Sequence, residues 1–234
     1  MSADATGSNR DYWKNFWNTH AATDRMYGRD TWSFREFYLL ITDVVMALDL
    51  NKDDVLLDAG GGTGAMAIAL APFVKRITLF DFGDDIVAKA REETSFFRNI
   101  DVLSDDVRVF GSLAGAGAYS KVLVGSVLQY LDDMDEVRQV LAQTFRVLAS
   151  GGRALYTHNP DLAKKAAHIE SYGRLSWEKE RVDRALEMEE RRLWVDKEEF
   201  YRISREVGFG KSVECAINGN LWQSTHMFDW LVEK

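Results

Sequence analysis

The run Val55-Leu56-Leu57-Asp58-Ala59-Gly60-Gly61-Gly62-Thr63-Gly64 constrains this chain more than any other stretch. An apolar triplet reaches an acid, and four glycines then crowd into five positions. Such a run reads as a buried parallel strand that closes in a tight turn, with a helix directly behind it. Residues 65–70 supply that helix, and Ala71-Pro72 marks its exit. Glycine suits the turn because it tolerates positive φ and lets a ligand approach the backbone with no Cβ in the way. The next strand, residues 76–80, runs into Asp81, which lies 23 residues after Asp58. Nucleotide-binding folds place an acid on ribose hydroxyls at about that interval.

Two spacings coexist in the turn. Gly60, Gly62 and Ala65 satisfy the G-x-G-x-x-G/A dinucleotide pattern, and Gly60, Gly62 and Gly64 satisfy G-x-G-x-G. A dinucleotide turn offers a helix N-terminus to a pyrophosphate, and a carboxylate beside it would repel that anion. Asp58 suits a ligand that carries positive charge. Asp58-x-Gly60-x-Gly62-x-Gly64 followed by Asp81 resembles the S-adenosylmethionine (SAM) site of class I methyltransferases, small-molecule type. The resemblance implies that the glycine loop packs against the methionine part of SAM and that Asp81, with Phe82 after it, holds the ribose.

At 234 residues and 46% hydrophobic, the chain is long enough to bury a core without disulfides or metals. Its single cysteine, Cys215, permits no internal disulfide, which points to a reducing compartment, and the expected location is cytoplasmic. No apolar run has the length of a membrane span, and residues 1–6 have no signal-peptide core. A formal charge of −8 argues against nucleic acid as a partner, because such binding rests on lysine and arginine contacts to phosphate. A local basic patch is compatible with that net count.

Residues 1–10 are small and polar and are expected to be disordered. From Tyr12 to Tyr38 the chain is rich in aromatic residues, and Trp13, Phe16 and Trp17 share a helical face. These rings either pack onto the main core or cover a cofactor and wall a substrate pocket, as the N-terminal lid of small-molecule methyltransferases would. Trp17 and Tyr27 are the candidate substrate contacts there, with His20 beside them. Residues 34–50 read as a helix entering the first strand, and residues 84–93 as another with Asp84 and Asp85 in its first turn. The third strand is residues 100–103 or residues 107–110. We read the first, which by the resemblance sets Asp105 or Asp106 against the adenine amino group; the second would put Gly111-Ser112 there. Residues 121–124 form the fourth strand, followed by Gly125, Ser126 and Tyr130 facing the transfer centre. Ser120 stands where the family commonly has aspartate. A helix over 135–148 ends before Gly151-Gly152, and residues 153–158 form the fifth strand. Residues 161–192 break the alternation with a polar, charged helical pattern. That is either a solvated face or the family's substrate-covering insertion, with Tyr172 and Trp177 as candidate pocket residues. A helix over 194–207 and strands over 212–217 and 226–232 complete the chain.

These elements and the resemblance together predict an α/β fold: a three-layer α/β/α sandwich around a mostly parallel seven-stranded sheet with a C-terminal antiparallel hairpin. Residues 1–50 are expected to form an aromatic helical arm or lid, and residues 51–234 the SAM-binding core with its helical insertion. The implied reaction transfers a methyl group from SAM to N or O of a small-molecule acceptor, leaving S-adenosylhomocysteine. Alignment and desolvation do most of the work in such a displacement. A hydroxyl acceptor gains from a base, for which His158 at the end of the fifth strand, His20 and His168 are candidates; each reads more readily as a structural histidine than as a base. Tyr130 or Tyr156 would orient a substrate. No metal is expected, because Gly125-Ser126 stands where metal-dependent relatives want carboxylates. Asn159-Pro160 is similar to the motif of nucleic-acid amino-methyltransferases but follows the wrong strand. The alternatives are methylation of a protein terminus or side chain, a NAD-binding oxidoreductase, and a SAM-binding regulator without turnover.

Overall fold

A computed structural model describes residues 8–21, 33–112 and 115–234, leaving the side chains of His20, Ala21 and Ser112 aside. Strands β1 (Val55–Ala59), β2 (Arg76–Asp81), β3 (Ile100–Ser104), β4 (Tyr119–Gly125), β5 (Leu148–Pro160), β6 (Lys211–Cys215) and β7 (Met227–Glu233) form one sheet. Their order is β3-β2-β1-β4-β5-β7-β6. The first five run parallel, and β7 lies antiparallel between β5 and β6. The chain moves outward from β1 in both directions, so the strand order reverses between β1 and β4. Open α/β sheets hold ligands at the carboxyl ends flanking such a reversal.

Helices α1 (Asn9–Ala21), α2 (Phe34–Leu48), α3 (Ala65–Leu70), α4 (Asp84–Thr94), α5 (Met134–Val147), α6 (Lys165–Tyr172), α7 (Lys179–Arg191) and α8 (Lys197–Val207) surround the sheet. Because a strand's side chains alternate between faces, Leu56 and Leu57 enter different cores. Leu56, Ile77, Leu79 and Leu155 meet Leu40, Val44 and Leu48 of α2, Leu70 of α3 and Ala90 of α4. Leu57, Phe80, Val122 and Tyr156 meet Val137 and Leu141 of α5 and Phe200 and Ile203 of α8. The result is the expected three-layer sandwich with an antiparallel C-terminal pair.

Local chemistry sets the helix bounds. Ser33 and Glu36 form a capping box at the start of α2. The helix expected from Trp194 begins instead at Lys197. Val195 is spent on a parallel bridge to Asp161, and the Asp196 side chain caps the first turn by accepting from the N–H groups of Glu198 and Glu199. The fifth strand starts five residues earlier than expected, at Leu148, because Gly151 takes φ +74° and lets the strand bend rather than stop. Of the two candidates for the third strand, residues 100–104 pair with β2, and residues 110–112 form a 3₁₀ turn. No helix among the described residues is long and apolar enough to cross a membrane.

Candidate active site

The β1 turn folds back onto β2. The N–H groups of Gly60 and Gly61 both donate to the Phe80 carbonyl, at 2.9 and 3.1 Å. Gly60 sits at φ +74°, and a Cβ there would lie 2.5 Å from Cγ2 of Val127, so glycine is required on both counts. Gly62 is different: at φ +59°, a Cβ there meets nothing within 4 Å, because that edge of the turn faces open space. Its N–H is turned to Asp81, donating to Oδ2 at 3.0 Å.

Two carboxyl groups close off the strand ends with opposite degrees of support. The Asp81 carboxylate accepts from the backbone N–H groups of Gly62, Phe82 and Gly83. Burial pushes its pKa up, and those three donors pull against that rise. Asp58 is 2% exposed, and its Oδ2 has no hydrogen-bond partner among the described residues. Burial, with the neighbouring charge of Asp81 adding to it, pushes the Asp58 carboxyl up to about 7.

These groups face a cavity of ≈ 200 Å³ at the carboxyl ends of β1, β2 and β4. Asp105 follows β3 and lines it; Oδ1 accepts from the N–H of Asp106, and Oδ2 is buried without a partner among the described residues. Asp106 takes another course, paired with Arg108 at 3.2 Å and with Arg10 of α1 at 2.5 Å. Arg108 is further tied to Glu136 at 2.6 Å. Gly125 and Ser126 line the cavity from the end of β4. Ser126 holds φ +59°, with its N–H on the Thr157 carbonyl and its own carbonyl accepting from Gln129 Nε2 at 2.8 Å. Above them α1 presents Trp13 and Trp17, whose rings lie 4.7 and 5.6 Å from that of Tyr130.

Asp58, Gly60, Gly62, Asp81, Phe82, Asp105, Gly125, Ser126, Trp17 and Tyr130 thus converge on one cavity. Gly64 does not line it: at φ +89° it starts α3 and packs toward Thr94. His158 stands apart as well. A register shift in β5 between Tyr156 and Asn159 puts Thr157 on the cavity and leaves His158 outside its lining, buried at φ +55°, with its N–H on Asp229 Oδ1. Tyr172 is outside the lining too, because its hydroxyl donates to Glu189 across the α6–α7 pair, and Trp177 packs beside it. His168 belongs to that cluster, stacked on His226 at 3.9 Å between centroids. Tyr156 is fully buried in the core. Tyr27 lies outside the described residues, as does the side chain of His20. Phe37, one of the aromatics expected between Tyr12 and Tyr38, also lines the cavity, while sequence reading did not single out Arg10, Arg108, Met66 or Thr157, which line it too.

Residues 57–154 match the family model of a methyltransferase domain. The match lies over the segment from β1 to the middle of β5, and the fold is shared with solved methyltransferases. Curated relatives include nodulation protein S of Rhizobium tropici, 29% identical over 43% of this chain and 41% of that protein. Nodulation protein S of Sinorhizobium fredii is 28% identical over 48% of this chain and 51% of that one. The chain thus spans about half the length of the curated relatives it matches. Among solved structures, the N-methyltransferase NodS of Bradyrhizobium japonicum WM9, in complex with S-adenosylhomocysteine, covers 94% of this chain and 97% of its own. Its TM-score is 0.65 at 18% identity. Phosphoethanolamine N-methyltransferase 1 of Haemonchus contortus gives a TM-score of 0.71 at 18% identity, over all of this chain and 50% of its own.

Proposed function

We propose that this protein transfers a methyl group from SAM to nitrogen or oxygen of a small-molecule acceptor. The observation that carries the reading is Asp58, a buried carboxyl with an unpartnered oxygen beside a glycine turn that faces open space at Gly62. SAM fits that chemistry, because its positive charge would compensate Asp58, its ribose diol matches Asp81, and its adenine amino group matches the free Oδ2 of Asp105. A NAD pyrophosphate fits poorly: it would bring negative charge against Asp58. When bound, SAM supplies an activated methyl on a sulfonium, open to in-line attack.

The chain's own residues bind and align. Asp58 and Asp81 fix the two ends of the cofactor's polar edge, and Gly125 and Ser126 border the reacting region. Trp13, Trp17 and Tyr130 cover the cavity and exclude water. No histidine lines the cavity among the described residues. The hydroxyls of Tyr130 and Thr157 are the neutral polar groups suited to orienting an acceptor. In this reading residues 1–50 carry the cover, with α1 over the cavity and α2 packed into the core, and residues 51–234 carry the cofactor core and insertion. A small-molecule acceptor, no nucleic acid, no resident metal and a cytoplasmic location are the accompanying proposals. They are supported by the small, largely apolar cavity, the net charge of −8 and the single cysteine.

Calorimetric titration with SAM, S-adenosylhomocysteine and NADH tests the reading. Binding of the first two and not the third is expected, and preferential NADH binding would transfer the protein to redox chemistry. SAM binding without methyl transfer to any acceptor offered would favour a regulator.

A further inference from the structure

The walls of the cavity beyond the cofactor cradle carry a chemical preference. Trp13 is fully buried at the cavity, and its indole N–H has no hydrogen-bond partner among the described residues. A buried donor left unpaired is costly, so one beside a ligand cavity is a group for a ligand to satisfy. The rings of Trp13, Trp17 and Tyr130 meet at 4.7 and 5.6 Å, and Phe37, Leu40 and Met66 add apolar surface to the same lining. The two cations among the described lining residues are already committed: Arg10 to Asp106, and Arg108 to Asp106 and Glu136. An anionic acceptor would be desolvated there with no free cation among the described lining residues to meet it.

Resting on the methyltransferase reading, we propose that the acceptor is an uncharged, ring-bearing small molecule that offers an oxygen or nitrogen lone pair to Nε1 of Trp13. Phosphorylated and carboxylated acceptors are excluded by the same walls. The ring stacks within the aromatic set, and the single bond from Trp13 orients it relative to the ends of β4 and β5.

The test uses full-length protein saturated with S-adenosylhomocysteine, titrated with 2-naphthol and with 2-naphthyl phosphate. 2-Naphthol should bind about tenfold or more tightly than its phosphate ester, since the ester must bury an unpaired anion. Trp13→Phe keeps a ring and removes the donor, and should weaken 2-naphthol about fivefold, the usual worth of one neutral hydrogen bond, with S-adenosylhomocysteine affinity unchanged. Trp17→Ala, which leaves that donor in place, should weaken it by a similar factor through lost ring contact. Equal or tighter binding of the phosphate ester overturns the proposal, and so does failure of both probes to bind. A loss of S-adenosylhomocysteine affinity in Trp13→Phe would assign the donor to the cofactor and overturn it too. Failure of the wild-type protein to bind S-adenosylhomocysteine at all would refute the methyltransferase reading itself, and the proposal with it.

Discussion

Asp58 and Glu189 are two carboxyl groups buried to nearly the same degree, 2% and 3% exposed, and they are perturbed in opposite directions. At Glu189 burial pushes the pKa up, but His168, Arg192 and the Tyr172 hydroxyl together hold it below its ordinary value. At Asp58 burial meets no compensation, and Asp81 adds to the rise. Each has one buried oxygen without a hydrogen-bond partner among the described residues, so the difference lies in the basic and hydroxyl groups gathered on Glu189 Oε1, which Asp58 does not have. Glu189 ties α7 to α6, so its partners are its function. Asp58 stands at the carboxyl end of β1, where the sheet's topology brings ligands, and under the proposed function a cationic ligand supplies the partner it lacks among the described residues.

The comparison breaks most sharply at Glu189. Glu189→Ala leaves His168 and Arg192 buried around a lost anion, and removal of one partner from such a set costs about 3–5 kcal/mol. Urea unfolding should show a loss of that size, with affinity for S-adenosylhomocysteine retained while the protein is folded. A loss below about 1 kcal/mol would mean the cluster is wetter than its burial indicates. Asp81→Ala should act the other way round, on binding before stability. Removing charge-assisted bonds to a ribose diol costs about 1.5–3 kcal/mol per bond, read by calorimetry with S-adenosylhomocysteine. An effect of a few tenths would show that Asp81 serves only the backbone donors it already holds.

Asp58 sharpens the contrast through pH. Its folded value of about 7 lies above its ordinary 3.8, so the ligand-free protein binds the extra proton between those limits. The stability contribution of this group is complete below about pH 4 and is lost as pH rises through about 7, with a slope near 1.4 kcal/mol per pH unit. Asp58→Asn should therefore gain stability relative to wild type on going from pH 5 to pH 8. SAM affinity of the wild type should rise with pH up to about 7, because the ionised carboxyl is the form that attracts a cation. A flat difference between the two proteins across that range would show that Asp58 is already ionised in the fold.

What could be read from sequence follows the range of each interaction. The β1 turn was legible because strand, acid and glycines lie within ten residues and their constraints are local. The antiparallel pair β6–β7 and the choice of residues 100–103 for β3 came instead from the resemblance to class I methyltransferases, and the sheet has both. His158 and Tyr172 were not legible, since one depends on a register shift against β7 and the other on a partner 17 residues away across two helices. Trp13 could be seen as an aromatic on a helical face, but the cavity it lines with Tyr130 is made by packing between residues 117 positions apart. Arg10 and Arg108 read as surface charges until α1 is docked on Asp106.

The smallest expected effect concerns His158, the histidine that strand position singled out as a base. A base acting directly at the acceptor must be within hydrogen-bond reach of it, and its removal costs roughly 10²–10⁴-fold in rate. His158 is outside the cavity lining, while its neighbour Thr157 is part of it. Its backbone is the informative part: φ is +55°, and its N–H is held at 2.6 Å by the buried carboxyl of Asp229. Both features are kept by any residue that tolerates the left-handed region. His158→Gly relieves the conformation and should retain the methyl-transfer rate within about threefold, far less than the loss of a base would cause. His158→Ala retains the strain without the original side chain's packing, and should be less stable than His158→Gly by about 1 kcal/mol. Rates of both variants from pH 5 to pH 9, with thermal unfolding alongside, measure the two parts separately. A hundredfold loss of rate in His158→Gly with unchanged stability would restore a catalytic histidine, reached through Thr157 by a rearrangement of the β5 bulge.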